Sequence, residues 1–447
     1  MVKNNQLGLY TLIALVIANM IGAGVFTTSG FAMGDLGSPA LVVLAWFIGG
    51  CLALCGAISY GMLSRLMPVS GGEYLFLSRA VHPLVGFVAG WISLLAGFTG
   101  AIAYAAITFE SYLLPQGYRE MVPENVVASV VILIAALAHG LRIRHGALLQ
   151  NIAVAAKLTL IAGFFLFVLF GASPASWQGV QAWQSADGPP EFSVYTFAMT
   201  LMWISFSYCG FNAAIYIASE VKDVAALPKS MFYGTLLTMV IYILLNAVFV
   251  FAPAPELIIF KQDVAAIVAE VLGGDRLATL VRIIISIALF TSVSAMIMIG
   301  PRVYARMADD GLMPGMLRFR GEVPTAAIIM QTILAIIVVW ISTLRELLSY
   351  LGFTLGLSAV IAVASLFVVV RRGEKDTGGL RGYPWVPGIF IVFTLLFACL
   401  GAVREPWQMA GAIVTILSGV CVYYLFRSGA VPVPRDQATS SPRNPPD

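Results

Sequence analysis

Charge is what this chain has least of. Only 11% of its 447 residues are Asp, Glu, Lys or Arg, 60% are hydrophobic, and the mean hydropathy is +0.92. Soluble domains carry roughly a quarter charged residues, so an ordinary water-soluble domain is excluded, and so is a nucleic-acid surface, which needs dense positive charge. Histidine is almost missing: His82, His139 and His145 show no metal-ligand spacing. The five cysteines, Cys51, Cys55, Cys209, Cys399 and Cys421, all sit in apolar runs, where a thiol behaves as a small hydrophobe; no disulfide framework, zinc site or redox pair is implied. There is no nucleophile elbow, zinc-protease helix or Walker loop, and "GAGVFT" (22 to 27) lacks the third glycine and flanking strand of a dinucleotide site. No enzyme, cofactor or metal is expected. A ring of charge or a filter-like run, which a channel would need, is also missing.

What the chain has instead is apolar runs of about 17 to 25 residues, the length that crosses about 30 Å of hydrocarbon as a helix. They fall at 9–33, 39–63, 84–114, 125–140, 148–170, 193–219, 230–252, 278–306, 324–341, 346–370, 385–403 and 407–426. The expected fold is therefore an all-α integral membrane protein with twelve transmembrane helices. The first run is too long for a signal peptide and has no cleavage pattern after it, so the N-terminus is expected to remain. With that terminus inside, eighteen Lys and Arg residues fall on the cytoplasmic side and six on the other, with Lys157 inside a span. The positive-inside rule then places both termini in the cytoplasm of a cell whose inner membrane holds the protein. Segment 255–272 has apolar positions near helical spacing and reads as an external amphipathic helix, and "PVPRDQATSSPRNPPD" reads as a disordered cytoplasmic tail over 428–447.

Two runs carry breakers at their midpoints. "ANMIGAGVF" interrupts the first span at Gly22 and Gly24, and "FSYCGFN" interrupts the sixth at Gly210. In hydrocarbon an unpaired N–H or C=O costs several kcal/mol, so unwound backbone survives only where a ligand, water or protein group satisfies it. Unwinding near Gly22 frees the amides of Ala23 and Gly24, which favour a carboxylate, and the carbonyls of Met20 and Ile21, which favour an ammonium group. That is a receptor for the zwitterionic end of an amino acid. The plainer alternative is that Gly22 and Gly24 let another helix approach closely. A second break at the corresponding place favours a site where the two meet, in an inverted repeat of five helices each. The expected divisions are a short N-terminal segment 1–8, a first repeat 9–170, a second repeat 193–370, two further helices in 385–427, and the tail.

Lys157 lies about ten residues into the fifth span. A cation at such depth marks a coupling or substrate site unless it snorkels to the interface. Ser292 and Ser294 are its candidate neighbours, although serine in such helices often bonds its own backbone. Glu110 reads as an interfacial acid, Glu220, Lys222 and Asp223 as a solvated cluster at the inner mouth of the sixth helix, and the pairs Gly86/Gly90 and Gly352/Gly356 as packing surfaces.

"ANMIGAGVF", "PVSGGEYLFLSRA" (68–80), "QNIAVAAKL" (150–158), "SYCGFNAAIYIASEVKD", "LPKSM" and "PRVYARMADDGLMP" (301–314) occur in an order and spacing that resembles the amino acid permeases of the amino acid, polyamine and organocation superfamily. The likeness covers about residues 7–427 and is strongest to bacterial relatives of the L-type amino acid exchangers. It implies a LeuT-like five-plus-five inverted repeat with discontinuous helices 1 and 6. The resemblance also implies that a substrate carboxylate meets Ala23 and Gly24 while the amino group meets carbonyls of Met20, Phe206 and Cys209, with Gly210 and Asn212 beside them. Phe206 matches an aromatic gate, and Lys157 matches a lysine that fills a sodium site, which argues for proton coupling or exchange. Ala23 stands where many members have Ser, and 115–124 has no cysteine for a covalent heavy-chain partner. With no acid deep in a core span, a neutral L-amino acid is the expected cargo; the alternative is a polyamine or cationic amino acid antiporter. The partners expected are thus a small amino acid, the lipid bilayer and protons.

Overall fold

The computed structural model describes residues 7–67, 72–115, 117, 121–140, 146–171, 177–180, 192–319, 323–372 and 380–426. The expected N-terminal segment up to residue 6 and the tail at 428–447 lie outside the described residues, as do His145 and the side chain of Glu220.

Helices fall on the apolar segments. The first is a bent pair, α1 (Leu9–Met20) and α2 (Ala23–Leu36), whose axes differ by 43°. Then come α3 (Pro39–Leu66), the short α4 (Gly72–Ala80), α5 (Pro83–Leu113), α6 (Val126–Gly140), α7 (Gly146–Phe170) and α8 (Val194–Ser207). The remainder are α9 (Ala226–Phe251), α10 (Val264–Asp309), α11 (Thr325–Ile341), α12 (Leu344–Arg371), α13 (Trp385–Arg404) and α14 (Pro406–Phe426). Seven of these are long and apolar enough to cross a bilayer alone, the bent pair makes an eighth candidate, and four others are shorter apolar helices.

Local chemistry sets the ends. Ser38, Ser193 and Thr343 cap α3, α8 and α12, the last through a capping box with Glu346. Glu110 does the same for α6 from a distance, accepting the amides of Asn125 at 2.9 Å and Ala128 at 2.8 Å, so this acid is a cap rather than only an interfacial charge. In α5, residues Ser93–Gly100 widen into a π segment.

The expected external amphipathic helix over 255–272 is not one helix. A single turn at Pro255–Ile258 is followed by Phe260 at φ 57°, and α10 starts only at Val264, bending at Gly274. The interruption has a cause: Phe260 N–H donates to Gly30 O at 2.9 Å, and a Cβ on Gly30 would lie 2.0 Å from the Lys261 carbonyl. The strap thus presses on α2, and the apolar face over Val264–Leu272 is buried in protein. The expected packing glycines do pack: Gly86 abuts the Tyr74–Ser78 turn of α4, Gly90 abuts Met307, and both Gly352 and Gly356 abut Met202.

The helices pack in a continuous network. The broken pair, α3, α8 and α9 pack on one another, with α9 against both α1 and α3 and α8 against α2 and α3. Helix α10 packs on α5, α6 and α7, while α12 and α13 cover α8, and α14 leans on α5 and α12. At the far end of α2, Asp35 holds Arg345 at 2.8 Å beneath the ring of Trp203.

Candidate functional site

The first break is a two-residue gap. Helix α1 ends when Ile21 leaves the helical region (φ −73°, ψ 92°), and Gly22 is fully extended before α2 resumes at Ala23. Once Gly22 has left the helix, the Ala18 carbonyl lacks its usual donor four residues on, and the Ile21 carbonyl has no helical partner either. Both are taken by one side chain. The ammonium of Lys157, buried on α7, donates to Ala18 O at 3.1 Å and to Ile21 O. A cation at a helix C-terminus is also where the peptide dipoles favour it. The Ile21 carbonyl, expected to face a ligand, thus already holds an ammonium that belongs to the protein.

Met20 is engaged as well. The hydroxyl of Tyr242 on α9 stands 2.5 Å from Met20 O and 3.2 Å from Ser207 O, so one proton is shared between the ends of the two broken helices. The sequence reading missed Tyr242. Its signal was a tyrosine in mid-span, whose fully buried hydroxyl must find an acceptor in hydrocarbon.

The second break lies beside the first. Helix α8 stops at Ser207, a turn runs to Asn212, and a 3₁₀ segment follows over Ala213–Glu220. Gly210 sits at φ 110°, and a Cβ there would lie 3.0 Å from both the carbonyl carbon and the oxygen of Asn19. Only glycine combines that left-handed backbone with such a close approach. Gly24 has the same task on the other helix: its Cβ would come 2.5 Å from Ser207 Oγ and 2.9 Å from Ser207 Cα. The plain packing reading thus describes Gly24, and Gly210 makes a close approach of the same kind. Gly22 differs, for a Cβ there would meet nothing nearer than Met20 O at 3.9 Å.

The amides of Ala23 and Gly24 open α2 with no side-chain cap from Gly22 and no acid in the first turn. Around them lie hydroxyls: Thr28 meets Ser207 Oγ at 3.0 Å, and Thr27 bonds the Tyr104 hydroxyl. Phe206 packs edge-on against Tyr104, with centroids 5.1 Å apart. The Phe206 carbonyl accepts the Cys209 amide at 2.9 Å, and the Cys209 thiol turns back to Ser205 O.

Three expected site residues have side chains engaged with other partners. Ser292 donates to its own backbone at Ala288 O (3.0 Å), and Ser294 bonds His139 Nε2 at 2.8 Å, so these hydroxyls are spent away from the lysine they were expected to accompany. The reason is rotation: on α10 they point toward their own preceding turn and toward α6. Asn212 donates to Glu73 Oε1 at 3.3 Å. Glu73 had been noticed only as part of a motif. Burial pushes its carboxyl above the usual carboxylate range, while hydrogen bonds from Tyr60, Ser358 and Asn212 pull it back. Of the inner-mouth cluster, Asp223 accepts the Ala225 amide at 2.9 Å, and Lys222 N–H donates to Leu7 O at 3.3 Å.

Long apolar helices arranged around unwound backbone and a buried lysine define a multi-pass membrane protein of the solute-carrying kind. The chain belongs to the amino acid permease family, whose model matches residues 7–442, within the amino acid, polyamine and organocation superfamily. It is similar to the large neutral amino acids transporter small subunit 2 of Homo sapiens, 23% identical over 94% of this chain and 80% of that protein. It is also similar to the b(0,+)-type amino acid transporter 1 of Mus musculus, 25% identical over 94% and 88%, and to the serine/threonine exchanger of Bacillus subtilis, 24% identical over 94% and 96%. These relatives are transporters, not enzymes.

Proposed function

We propose that this protein is a secondary transporter of neutral L-amino acids that works by alternating access, with proton coupling or exchange of one amino acid for another. The observation that carries the reading is the meeting of two mid-membrane breaks, Ile21–Gly22 and Tyr208–Asn212, bridged by Tyr242 and stabilised by Lys157. The substrate carboxylate would dock on the Ala23 and Gly24 amides, where a helix start lacks a cap, with the free space at Gly22 admitting it. Its ammonium would use the second acceptor positions of the Met20, Phe206 and Cys209 carbonyls, since each carbonyl oxygen has two lone pairs. Phe206, on Tyr104, would close over it.

In this reading twelve helices cross the cytoplasmic membrane with both termini inside, the first ten as two inverted repeats spanning 9–170 and 193–370. The group formed by the broken pair, α3, α8 and α9 would rock against the remainder. Lys157 spans that boundary, since its stem is on α7 and its bonds are on α1. A lysine held there occupies space that a sodium ion would need, which favours protons or exchange. Glu73, the acid beside the second break, is already held by three neutral donors, which makes it a poor counter-charge for a cationic cargo and favours a neutral one. With no cysteine in 115–124, no covalent partner is proposed there.

The test is uptake of a labelled amino acid panel into proteoliposomes, with and without a sodium gradient, a pH gradient and internal amino acid. Saturable, sodium-independent uptake of neutral amino acids supports the proposal. Preference for arginine or a polyamine would replace it with the antiporter alternative, and flux that never saturates would point to a channel.

A further inference from the structure

One carboxylate outside the breaks gathers three elements. Glu73 lies on α4, and its Oε1 accepts the Tyr60 hydroxyl of α3 at 2.5 Å and the Asn212 amide at 3.3 Å. Its Oε2 accepts the Ser358 hydroxyl of α12 at 3.0 Å. Tyr60 and Ser358 are almost wholly buried, at 1% and 4% exposure, so these bonds are made away from bulk water. Above them Phe211 of the second break stands edge-on to Tyr60, its centroid 5.4 Å away, and its ring fills the space at Gly56. Among the described residues, the donors to Glu73 are Tyr60, Asn212 and Ser358, all neutral.

The choice of a carboxylate follows from this geometry. It is acceptor-only, with two oxygens and about four lone-pair directions, so it can receive several donors at once. Bonds to an ionised acceptor are roughly twice as strong as neutral ones. Side-chain amides and hydroxyls must alternate donor and acceptor roles and cannot collect three donors in this way. The donors, moreover, belong to different elements. Tyr60 and Asn212 lie on α3 and on the second break, Ser358 on α12, which packs on both α3 and α8; on the alternating-access reading α12 is part of the body against which the broken pair moves.

We propose that the Glu73 carboxylate is a latch that closes the face of the molecule on which α4 lies, beneath the two breaks, and that the Ser358–Glu73 bond must part when that face opens. The inference rests on the alternating-access reading. A structural salt link would serve equally to hold a static corner, but it would use a cation and an exposed site. Here a half-buried carboxyl is shared among neutral donors that can each be released without stranding a second ion.

Cys209, three residues before Asn212, supplies the reporter. In full-length protein with Cys51, Cys55, Cys399 and Cys421 changed to Ala, a membrane-impermeant maleimide is applied from the α4 side of sealed vesicles. Its initial rate of reaction with Cys209 then measures opening of that face. Glu73→Gln is expected to raise the rate at least about fivefold, the factor that corresponds to losing one ordinary hydrogen bond, and Ser358→Ala to raise it in the same direction. Rates within twofold of the parent in both variants overturn the latch. Should Glu73→Gln fail to elute as a folded monodisperse species, Ser358→Ala carries the test by itself, because it removes only the bond between the two bodies. Failure of the underlying reading looks different: the parent would show no saturable uptake, whatever its labelling rate.

Discussion

Tyr242→Phe deletes a single oxygen at the point where the two broken helices touch. The ring is fully buried and tightly surrounded, with Tyr208 centred 5.0 Å and Trp46 5.3 Å away, and phenylalanine fills the same volume, so no cavity forms. What is lost is the donor 2.5 Å from Met20 O and 3.2 Å from Ser207 O. Because one proton served both, the loss is between one and two orphaned carbonyls; a buried acceptor left without a donor costs about 1–3 kcal/mol. If that cost falls on the geometry of the breaks, the substrate must restore it on binding, and affinity should drop by about 5- to 150-fold. The assay is binding of a labelled substrate to purified protein, with a thermal unfolding midpoint measured alongside. Tyr350→Phe is the control, since its hydroxyl bonds Thr415 at the α12–α14 contact and neither broken helix. Affinity within twofold of wild type and an unchanged midpoint would refute the bridging role. Tighter binding would be more instructive still, since it would mean that Tyr242 and the substrate ammonium compete for the Met20 carbonyl.

The glycines separate in the same binding assay. Gly22→Ala should fold normally, because its Cβ has open space and the backbone there is extended, yet lower affinity by narrowing that space; unchanged affinity would remove the carboxylate site from this place. Gly24→Ala should instead cut the yield of folded protein, since its Cβ collides with Ser207. For Lys157→Met, volume is nearly kept but Ala18 and Ile21 lose their donor, at about 1–3 kcal/mol each. Lost transport, or transport that no longer responds to a pH gradient, is expected, and wild-type kinetics under the gradient would reduce the lysine to a structural tie.

Much of the architecture was legible along the chain because hydrocarbon imposes one-dimensional rules. Apolar run length set where helices form, and the glycines at 22, 24 and 210 marked where helical bonding stops. Lys157 declared itself because a charge in an apolar run is rare whatever surrounds it. Side chains that act through a neighbour were harder to see. Ser292 and Ser294 sit at the right depth, but their rotation on α10 sends the hydroxyls to Ala288 and His139. Nothing local distinguishes that rotation from the one expected. Glu73 stood only within a motif, and it is the fold that brings Tyr60 of α3 and Ser358 of α12 to its carboxyl.

By itself, then, the sequence determined that this is a membrane protein of crossing helices, where two of them break, and which family it joins, because those properties depend on composition and spacing alone. Who satisfies the broken backbone was decided in three dimensions. The Ile21 carbonyl went to Lys157 from 136 residues away and the Met20 carbonyl to Tyr242 from 222 residues away. An unpaired acceptor is filled by whichever donor the packing brings nearest, and distance along the chain has no part in that choice.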